Sequence, residues 1–287
     1  MDFGWECQLA ALRDVITSVT PTPLVRARRT VLEWAQGPFV IWPAVGYRDH
    51  APLIYDVGLC DGGDTEFYLA KGFRVVAIEA NPALVEAAKQ RFARHIKQGW
   101  LTIVETAIGP AKGRVELDVH ISNPHWSSIV ASRREQMDGA LQTIEVDCTT
   151  LDLVLREHGI PYYLKIDIEE SDLDAIKSLK SLSELPAYVS AEAHSRDIAE
   201  TLFELGYKRF QLVDQRLKNE LRLWPWAWRE GRYVWVRFND RHSGTFGREL
   251  PGRWVTIDEV LADFDALRRT VPMFRGTATW HDFHAAL

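Results

Sequence analysis

Short apolar runs alternate with helical segments through the middle of the chain, and this alternation constrains the fold more than any other feature. The runs cover residues 53–57, 73–79, 101–108, 162–168 and 187–193. Continuous apolar runs of this length are typical of strands that are buried on both faces of a parallel sheet. With helices between them, these runs predict a doubly wound α/β fold.

Helical patterns fill the intervals between the apolar runs. Asn81 is expected to cap one helix, because Pro82 follows it at the favoured first helical position. Further helices are predicted over 151–158, 172–182 and 196–205, within segments that separate the predicted strands. The succession of strand, helix and strand supports the parallel sheet.

The two ends of the chain depart from this alternation. Residues 1–50 are predicted to form an N-terminal helical extension, 51–240 a ligand-binding α/β domain, and 241–287 a loop and helical tail. Within the domain, 208–213 and 233–238 are strand-like runs with little helical pattern between them. They predict an antiparallel pair at one edge of the sheet.

The composition is that of a soluble globular protein. Hydrophobic residues make up 46% and charged residues 26% of the 287 residues, and no run of about 18 apolar residues predicts a membrane span. The first ten residues lack the basic start and apolar stretch of a signal peptide, so a cytoplasmic location is the default expectation.

Charge and cysteine content argue against two other classes of partner. The net charge of −6 disfavours a nucleic-acid partner, because phosphates must be neutralised by a basic surface. The three cysteines, Cys7, Cys60 and Cys148, are far apart and lack CxxC spacing. They therefore indicate neither a disulfide framework nor a zinc site.

The most informative segment is the glycine-rich loop Asp56-Val-Gly-Leu-Cys-Asp-Gly-Gly-Asp-Thr65, which follows the first apolar run. Glycines at a strand-to-helix turn allow a ligand to approach the backbone, and open α/β sheets bind ligands at this edge. The spacing G-x-x-x-G-G differs from the dinucleotide pattern G-x-G-x-x-G. The three acids would repel a pyrophosphate but can hold the sulfonium and amino groups of S-adenosylmethionine. The cofactor-binding residues predicted here are Asp56, Gly58, Asp61, Gly62, Asp64 and Thr65.

Further cofactor contacts are predicted at the ends of the next two strands. Glu79 ends the second strand, 23 residues after Asp56, where an acid can accept both ribose hydroxyls. Asn81 lies two residues further on and is included in this site. At the end of the third strand, an adenine ring is expected to lie against Thr106, Ala107 and Ile108.

These segments resemble FkbM-type methyltransferases, which transfer a methyl group from S-adenosylmethionine to oxygen. The resemblance runs from about Leu53 to Val213, and its most specific part is Leu-Lys-Ile-Asp-Ile-Glu over 164–169. One departure is Glu170, which stands where the family usually has glycine. Further matching segments are Asp56-Val-Gly58, Ile78-Glu79-Ala-Asn81-Pro82, Ala107-Ile-Gly109, Ser127-Ser-Ile129, Thr150-Leu-Asp152, Glu192-Ala-His194, Leu205-Gly-Tyr207 and Ser243-Gly-Thr-Phe-Gly247.

The resemblance implies a fold, a cofactor and a class of acceptor. The implied fold is a Rossmann-like, seven-stranded methyltransferase sheet with an antiparallel edge strand. The implied cofactor is S-adenosylmethionine, with no metal, although carboxylates at such a site could also hold a divalent ion. The acceptor is expected to be a hydroxyl of a sugar, glycan or secondary metabolite.

Candidate catalytic residues alternate along the fourth strand. Lys165, Asp167 and Glu169 would point to one face of a strand, and His194 lies at the end of the next strand. His194 or Asp167 is predicted to act as the general base, with Glu169 orienting the acceptor and Lys165 paired with Asp167. Asp167 is also included among the predicted cofactor-binding residues. The alternative is a purely structural network of charges.

Several questions stay open from the residues alone. A nicotinamide-dependent oxidoreductase and a non-catalytic binding protein on the same fold are the competing functions. Residues 121–135 are polar around Trp126, and they predict either a substrate-contacting loop or a surface loop without a role. The tryptophans 224, 226 and 228 could pack in the core, wall the substrate pocket or contribute to a homodimer.

Overall fold

A computed structural model describes residues 39–41, 51–121, 127–130, 140–169, 171–220, 230–232, 234–236, 238–270 and 280–287. The chain divides into two units after Val40, and the description below concerns the second unit, Ile41–Leu287. Apart from a strand at 39–41, the predicted N-terminal extension lies outside the described residues. So do Trp224, Trp226 and Trp228.

The strands and helices follow the predicted alternation closely. The strands are β1 (Phe39–Ile41), β2 (Leu53–Val57), β3 (Arg74–Glu79), β4 (Leu101–Glu105), β5 (Ala107–Ile108), β6 (Gly113–His120), β7 (Leu141–Thr149), β8 (Tyr163–Ile166), β9 (Tyr188–Glu192), β10 (Arg209–Asp214), β11 (Val234–Val236) and β12 (His281–Ala286). The α-helices are α1 (Gly63–Ala70), α2 (Pro82–Arg91), α3 (Ala93–Lys97), α4 (Leu151–His158), α5 (Asp172–Ser178), α6 (Arg196–Leu205) and α7 (Ile257–Thr270). Short 3-10 turns cover Leu179–Ser181, Gln215–Glu220 and Gly247–Glu249.

A seven-stranded sheet forms the centre of the fold, with the strand order β10-β12-β9-β8-β2-β3-β4. The five strands from β9 to β4 are parallel to their neighbours. This confirms the Rossmann-like, seven-stranded sheet. Because the order reverses on either side of β2, the carboxyl ends of β2 and β8 lie at a switch point, where such sheets bind ligands.

The antiparallel strand differs from the expectation in its place and its origin. β12 runs antiparallel to both β9 and β10, so it lies one strand in from the edge rather than at the edge. It comes from residues predicted as loop and helical tail, whereas β11, in the run 233–238, lies outside this sheet. The sequence His-Asp-Phe-His-Ala-Ala over 281–286 has no apolar run. Backbone pairing on both sides stabilises the strand instead.

Helices cover the sheet where the sequence indicates. A hydrophobic core joins the sheet to α4, α5, α6 and α7, and it includes Leu155, Ile176, Leu202 and Phe264. The predicted cap of α2 is confirmed, because the Asn81 side chain accepts a hydrogen bond from the backbone N–H of Ala83. The helix predicted over 172–182 ends earlier, at Ser178, and a 3-10 turn follows it.

An aromatic cluster packs α1 against a segment near the C-terminus. The ring of Phe246 stacks on that of Tyr163 in β8, with centroids 4.7 Å apart, and meets the edge of Tyr68 in α1 at 5.3 Å. Phe67 contacts the same ring at 6.3 Å. Residues 238–250 are therefore held on the sheet beside the first helix. No helix in the described ranges is long and apolar enough to cross a membrane.

Candidate active site

A cavity of about 650 Å³ opens at the carboxyl ends of the parallel strands. Its walls come from the loop after β2, the ends of β3 and β8, residues 106–108 and 127–129, and a segment near the C-terminus, 240–243. The predicted cofactor residues that line it are Gly58, Asp61, Asp64, Glu79, Thr106, Ala107, Ile108 and Asp167. Most of the predicted cofactor site is thus brought to one cavity.

Four predicted cofactor residues are not among the residues that line the cavity. Asp56 is fully buried and accepts a 2.6 Å hydrogen bond from the Thr65 hydroxyl. Gly62 precedes α1 with a φ of +80°, and Asn81 caps α2. Their contacts hold the loop and the two helices in place around the cavity.

Two glycines allow other segments to approach the loop closely. A Cβ atom at Gly58, where φ is +88°, would lie 1.9 Å from the backbone oxygen of Asp167. A Cβ atom at Gly63 would lie 2.0 Å from the backbone oxygen of Arg241. Both distances are far below van der Waals contact, so any side chain at either position would displace the end of β8 or the C-terminal segment.

Lys165 lies at the centre of a buried cluster of carboxylates. Its ammonium nitrogen is 3.1 Å from an oxygen of Asp56, 3.4 Å from one of Asp64 and 3.5 Å from one of Asp167. The backbone oxygen of Gly58 accepts from the same nitrogen at 3.3 Å. Burial alone would lower the pKa of Lys165, but the three carboxylates raise it well above its usual value. Lys165 therefore stays protonated. The predicted ion pair with Asp167 is present, and it is one of three ion pairs that Lys165 forms.

Glu79 is held at the cavity wall by two backbone donors. One carboxylate oxygen accepts from the N–H of Cys60 at 2.8 Å, and the other from the N–H of Asn81 at 2.9 Å. A carboxylate can accept about four hydrogen bonds, so each oxygen keeps acceptor capacity for a ligand. Burial raises the pKa of Glu79, although these two bonds oppose the shift.

Cys60 contributes a neutral surface to the cavity. Its thiol is partly buried, and burial with the nearby carboxylates of Glu79 and Asp61 raises its pKa to about 12. The thiolate is the nucleophilic form of cysteine, so the thiol of Cys60 is not an attacking group here.

The end of β8 continues into a turn that also lines the cavity. Glu169 has a left-handed backbone, with a φ of +52°, and its carbonyl oxygen accepts a 2.9 Å hydrogen bond from the Ser128 hydroxyl. Residues 127–129 of the predicted substrate-contacting segment are thereby fixed beside Glu169. Glu170 and the rest of that predicted segment, apart from Ile121 and Val130, lie outside the described residues.

His194 is not among the residues that line the cavity, but it contacts one that is. Its Nε2 atom is 3.0 Å from a carboxylate oxygen of Glu192, which lines the cavity at the end of β9. Nearby, Asp172 is fully buried, and burial raises its pKa to about 7 while His194 opposes the shift. The geometry thus connects His194 with the cavity through the side chain of Glu192.

The sequence did not predict that residues 240–243 and Trp280, here called the C-terminal wall, line the cavity. Ser243 donates to both carboxylate oxygens of Asp64, from its N–H at 2.7 Å and its hydroxyl at 2.8 Å. Arg241 forms an ion pair with Asp61 through Nε. The resemblance marked Ser243-Gly-Thr-Phe-Gly247, but no local pattern marks Arg241 or Trp280, which also lines the cavity.

The described residues contain no group of three or more His, Cys, Asp or Glu side chains placed to hold a metal ion. The carboxylates of the buried cluster are instead directed at Lys165 and Ser243. The dominant electrostatic feature of the cavity is an excess of carboxylates over cations. Its lining includes seven carboxylates but, of lysines and arginines, Lys165 and Arg241 alone.

Comparison with known proteins gives a family and several similar folds. Residues 56–212, more than half of the chain, match the family model of the methyltransferase FkbM domain. Among solved structures, the chain is similar to methyltransferase FkbM from Methylobacillus flagellatus KT, with 17% identity, coverage of 56% of this chain and 40% of that chain, and a TM-score of 0.37. This chain therefore spans about two fifths of that structure. A search of curated proteins gave no significant match.

Two further similar structures are methyltransferases of precorrin-6Y. The enzyme from Geobacter metallireducens GS-15 has 14% identity, coverage of 58% of this chain and 68% of that chain, and a TM-score of 0.35. The C-terminal domain of the enzyme from Rhodobacter capsulatus has 11% identity, coverage of 94% and 90%, and a TM-score of 0.36.

Proposed function

The chain belongs to the FkbM methyltransferase family, and on this premise we propose that it transfers a methyl group from S-adenosylmethionine to a hydroxyl of a sugar, glycan or secondary metabolite. The observation that carries the proposal is the acidic cavity at the carboxyl ends of β2, β3 and β8. S-adenosylmethionine supplies an electrophilic methyl group on a sulfonium cation. An excess of carboxylates attracts that cation and its ammonium group.

The residues around the cavity fit this cofactor. Gly58 leaves the backbone accessible where a side chain would block it, and Glu79 keeps acceptor capacity for ribose hydroxyls. Apolar residues suited to an adenine ring also line the cavity, including Ile78, Leu84 and Ile108. A dinucleotide pyrophosphate would meet Asp61 and Asp64 instead, which disfavours the oxidoreductase alternative.

Asp167 is the proposed general base, and Glu169 orients the acceptor hydroxyl. Asp167 lines the cavity with a side chain that is 40% exposed. It can therefore contact an acceptor while it stays paired with Lys165. Lys165 cannot take a proton, because its ammonium is held charged by three carboxylates. His194 acts through Glu192, whose carboxylate it contacts at 3.0 Å.

The proposed acceptor is uncharged. Glu169, Glu192 and Asp240 line the cavity, and hydroxyl groups donate readily to carboxylates. A phosphorylated acceptor would be repelled by the same side chains. The cavity volume of about 650 Å³ lies within the range of small-molecule sites.

Calorimetric titration tests which cofactor the protein binds. The ligands are S-adenosylmethionine and S-adenosylhomocysteine, with NADH as the comparison. We expect binding of the two sulfur compounds near ~1 μM and none of NADH. Glu79→Gln should weaken binding roughly 10- to 100-fold, because a carboxylate acceptor is lost. The matched control is Glu86→Gln, an exposed position on α2. The proposal would be contradicted if neither sulfur compound bound the wild type. It would also be contradicted if Glu79→Gln and the wild type bound these compounds with equal affinity.

Turnover on a panel of hydroxylated acceptors tests the catalytic roles. Asp167→Asn should lower kcat by about 10²–10⁴-fold, the usual contribution of a general base. His194→Ala should have a smaller effect, because its action passes through Glu192. Asp263→Asn on the exposed side of α7 is the control. Full turnover by both variants would exclude the catalytic roles of Asp167 and His194. Turnover in the presence of a chelator is a separate test, and it should be unchanged if no metal takes part.

A further inference from the structure

The acidic cavity poses a problem for one group of the proposed cofactor. S-adenosylmethionine carries a carboxylate beside its ammonium and sulfonium groups, and seven carboxylates line the cavity. A buried or partly buried carboxylate needs a cationic or hydrogen-bonding partner. The cavity must therefore offer a donor to the amino-acid end of the cofactor. This inference rests on the proposed function.

Lys165 does not provide that donor. An ammonium group has three N–H bonds. Four oxygen atoms lie within 3.5 Å of the Lys165 nitrogen, three from aspartates and one from the backbone of Gly58. Its hydrogen-bonding capacity is already taken up by the protein.

Arg241 has the donors that Lys165 lacks. Asp61 is bonded to the Nε atom of Arg241, and among the described residues no acceptor is bonded to either Nη atom. The side chain is 42% exposed and lines the cavity. The two Nη groups form part of the planar fork that binds a carboxylate through two hydrogen bonds.

The backbone of the same segment is fixed beside the glycine loop. The carbonyl oxygen of Arg241 lies where a side chain at Gly63 would be, at 2.0 Å from the position of its Cβ. Two residues further on, Ser243 is bonded twice to Asp64. Arg241 is therefore held beside the start of α1 both by its bond to Asp61 and by the packing of its backbone segment.

We infer that Arg241 binds the α-carboxylate of the methionyl moiety of S-adenosylmethionine through its Nη groups, and that Asp61 orients the guanidinium through Nε. Arg241 is then a cofactor-binding residue contributed by the C-terminal segment rather than by the glycine loop. It also gives the enzyme its selectivity for a cofactor with an intact amino-acid end.

A ligand lacking only the carboxylate provides the test. Calorimetry compares S-adenosylhomocysteine with its decarboxylated analogue, S-adenosyl-3-thiopropylamine, on the full chain. We expect the wild type to bind S-adenosylhomocysteine roughly 10- to 100-fold more tightly, the range of charge-assisted hydrogen bonds. Arg241→Gln should weaken binding of S-adenosylhomocysteine alone, so that the ratio falls towards one. Arg241→Lys, which keeps the charge but not the fork, should give an intermediate ratio.

Controls separate the possible failures. Arg253→Gln removes an exposed arginine that pairs with Glu259 and is not among the residues that line the cavity, so it should keep the wild-type ratio. Thermal unfolding shows whether each variant is folded. An equal ratio in Arg241→Gln and the wild type would overturn the inference while leaving the proposed function intact. Failure of the wild type to bind S-adenosylhomocysteine would refute the proposed function itself.

Discussion

Two buried lysines of this protein differ in the balance of charge around them. Lys165, beside the cavity, lies within 3.5 Å of three aspartates. Lys71, at the end of α1, pairs at 2.8 Å with the carboxylate of Glu249, and both of these side chains are fully buried. The first cluster keeps an excess of negative charge, whereas the Lys71–Glu249 pair is neutral.

The pKa values of the two lysines respond to this difference. Burial lowers the pKa of a lysine in both places, but near Lys165 the three carboxylates outweigh it and the pKa is raised. Near Lys71 burial is the larger effect, and the pKa is lowered despite Glu249. The comparison shows that the balance between burial and the nearby carboxylates decides whether the pKa of a buried lysine is raised or lowered.

The largest expected effect comes from removing the cation beside the cavity. Lys165→Met should abolish binding of S-adenosylhomocysteine and lower the free energy of unfolding by about 3–5 kcal/mol, because three aspartates lose their common partner. Calorimetry and urea unfolding measure the two effects. Unchanged affinity in this variant would mean that the cluster has no part in the site.

The buried pair in the second cluster should affect stability alone. Lys71→Met should cost about 3–5 kcal/mol of unfolding free energy, because it leaves the Glu249 carboxylate buried without its cation. The double variant Lys71→Met, Glu249→Leu should recover most of that loss, since an apolar pair can replace a buried ion pair. Cofactor affinity should stay within about threefold of the wild type in the double variant. A large loss of affinity would break the distinction between the clusters.

The pH dependence of stability sharpens the same distinction. Burial raises the pKa of Glu249 from 4.5 to about 7. The folded protein therefore binds this proton more tightly than the unfolded chain. The contribution to stability is complete below pH 4.5 and is lost as the pH rises towards 7, by at most about 3 kcal/mol. Glu249→Gln should flatten the decline in urea unfolding between pH 5 and 7, and equal slopes in variant and wild type would contradict this assignment.

The smallest effect is expected at the C-terminal wall. Ser243→Ala removes the hydroxyl that donates to Asp64 but keeps the backbone N–H bond to the same carboxylate. We expect a loss of about 1 kcal/mol in unfolding free energy, with a similar weakening of cofactor binding. Ser183→Ala, at an exposed position outside the helices and strands, is the control for losing a hydroxyl. A loss no greater than that of the control would show that the hydroxyl does not stabilise this wall.

Local patterns predicted most of the sheet and much of the candidate site. The apolar runs became β2, β3, β4, β8 and β9. Strands of a parallel sheet that helices cover on both faces are largely apolar, although Asp56 and Lys165 lie within β2 and β8. The glycine loop and Glu79 line one cavity, as expected for consecutive strand ends of a parallel sheet. Thr65 and Asn81 belong to the same motifs, but Thr65 stabilises the loop and Asn81 caps a helix. Only their contacts in the structure distinguish a residue that stabilises the fold from one that lines the cavity.

Other parts depended on long-range pairing. β12 has two histidines and an aspartate in six residues, so no local pattern marks it as a strand. Its hydrogen bonds to β9 and β10 decide its conformation. Arg241 and Ser243 reach the cavity for a similar reason, because their partners Asp61 and Asp64 lie about 180 residues earlier in the chain.

The sequence by itself determined the parallel sheet, the position of the glycine loop and the acidic character of the candidate site. These properties arise from hydrophobic periodicity and from residues adjacent in the chain, which act over a few residues. Only the tertiary structure decided that three aspartates share Lys165 and that the C-terminal segment closes the cavity. The physical reason is that charge balance depends on distances between side chains, and folding sets those distances across the whole chain.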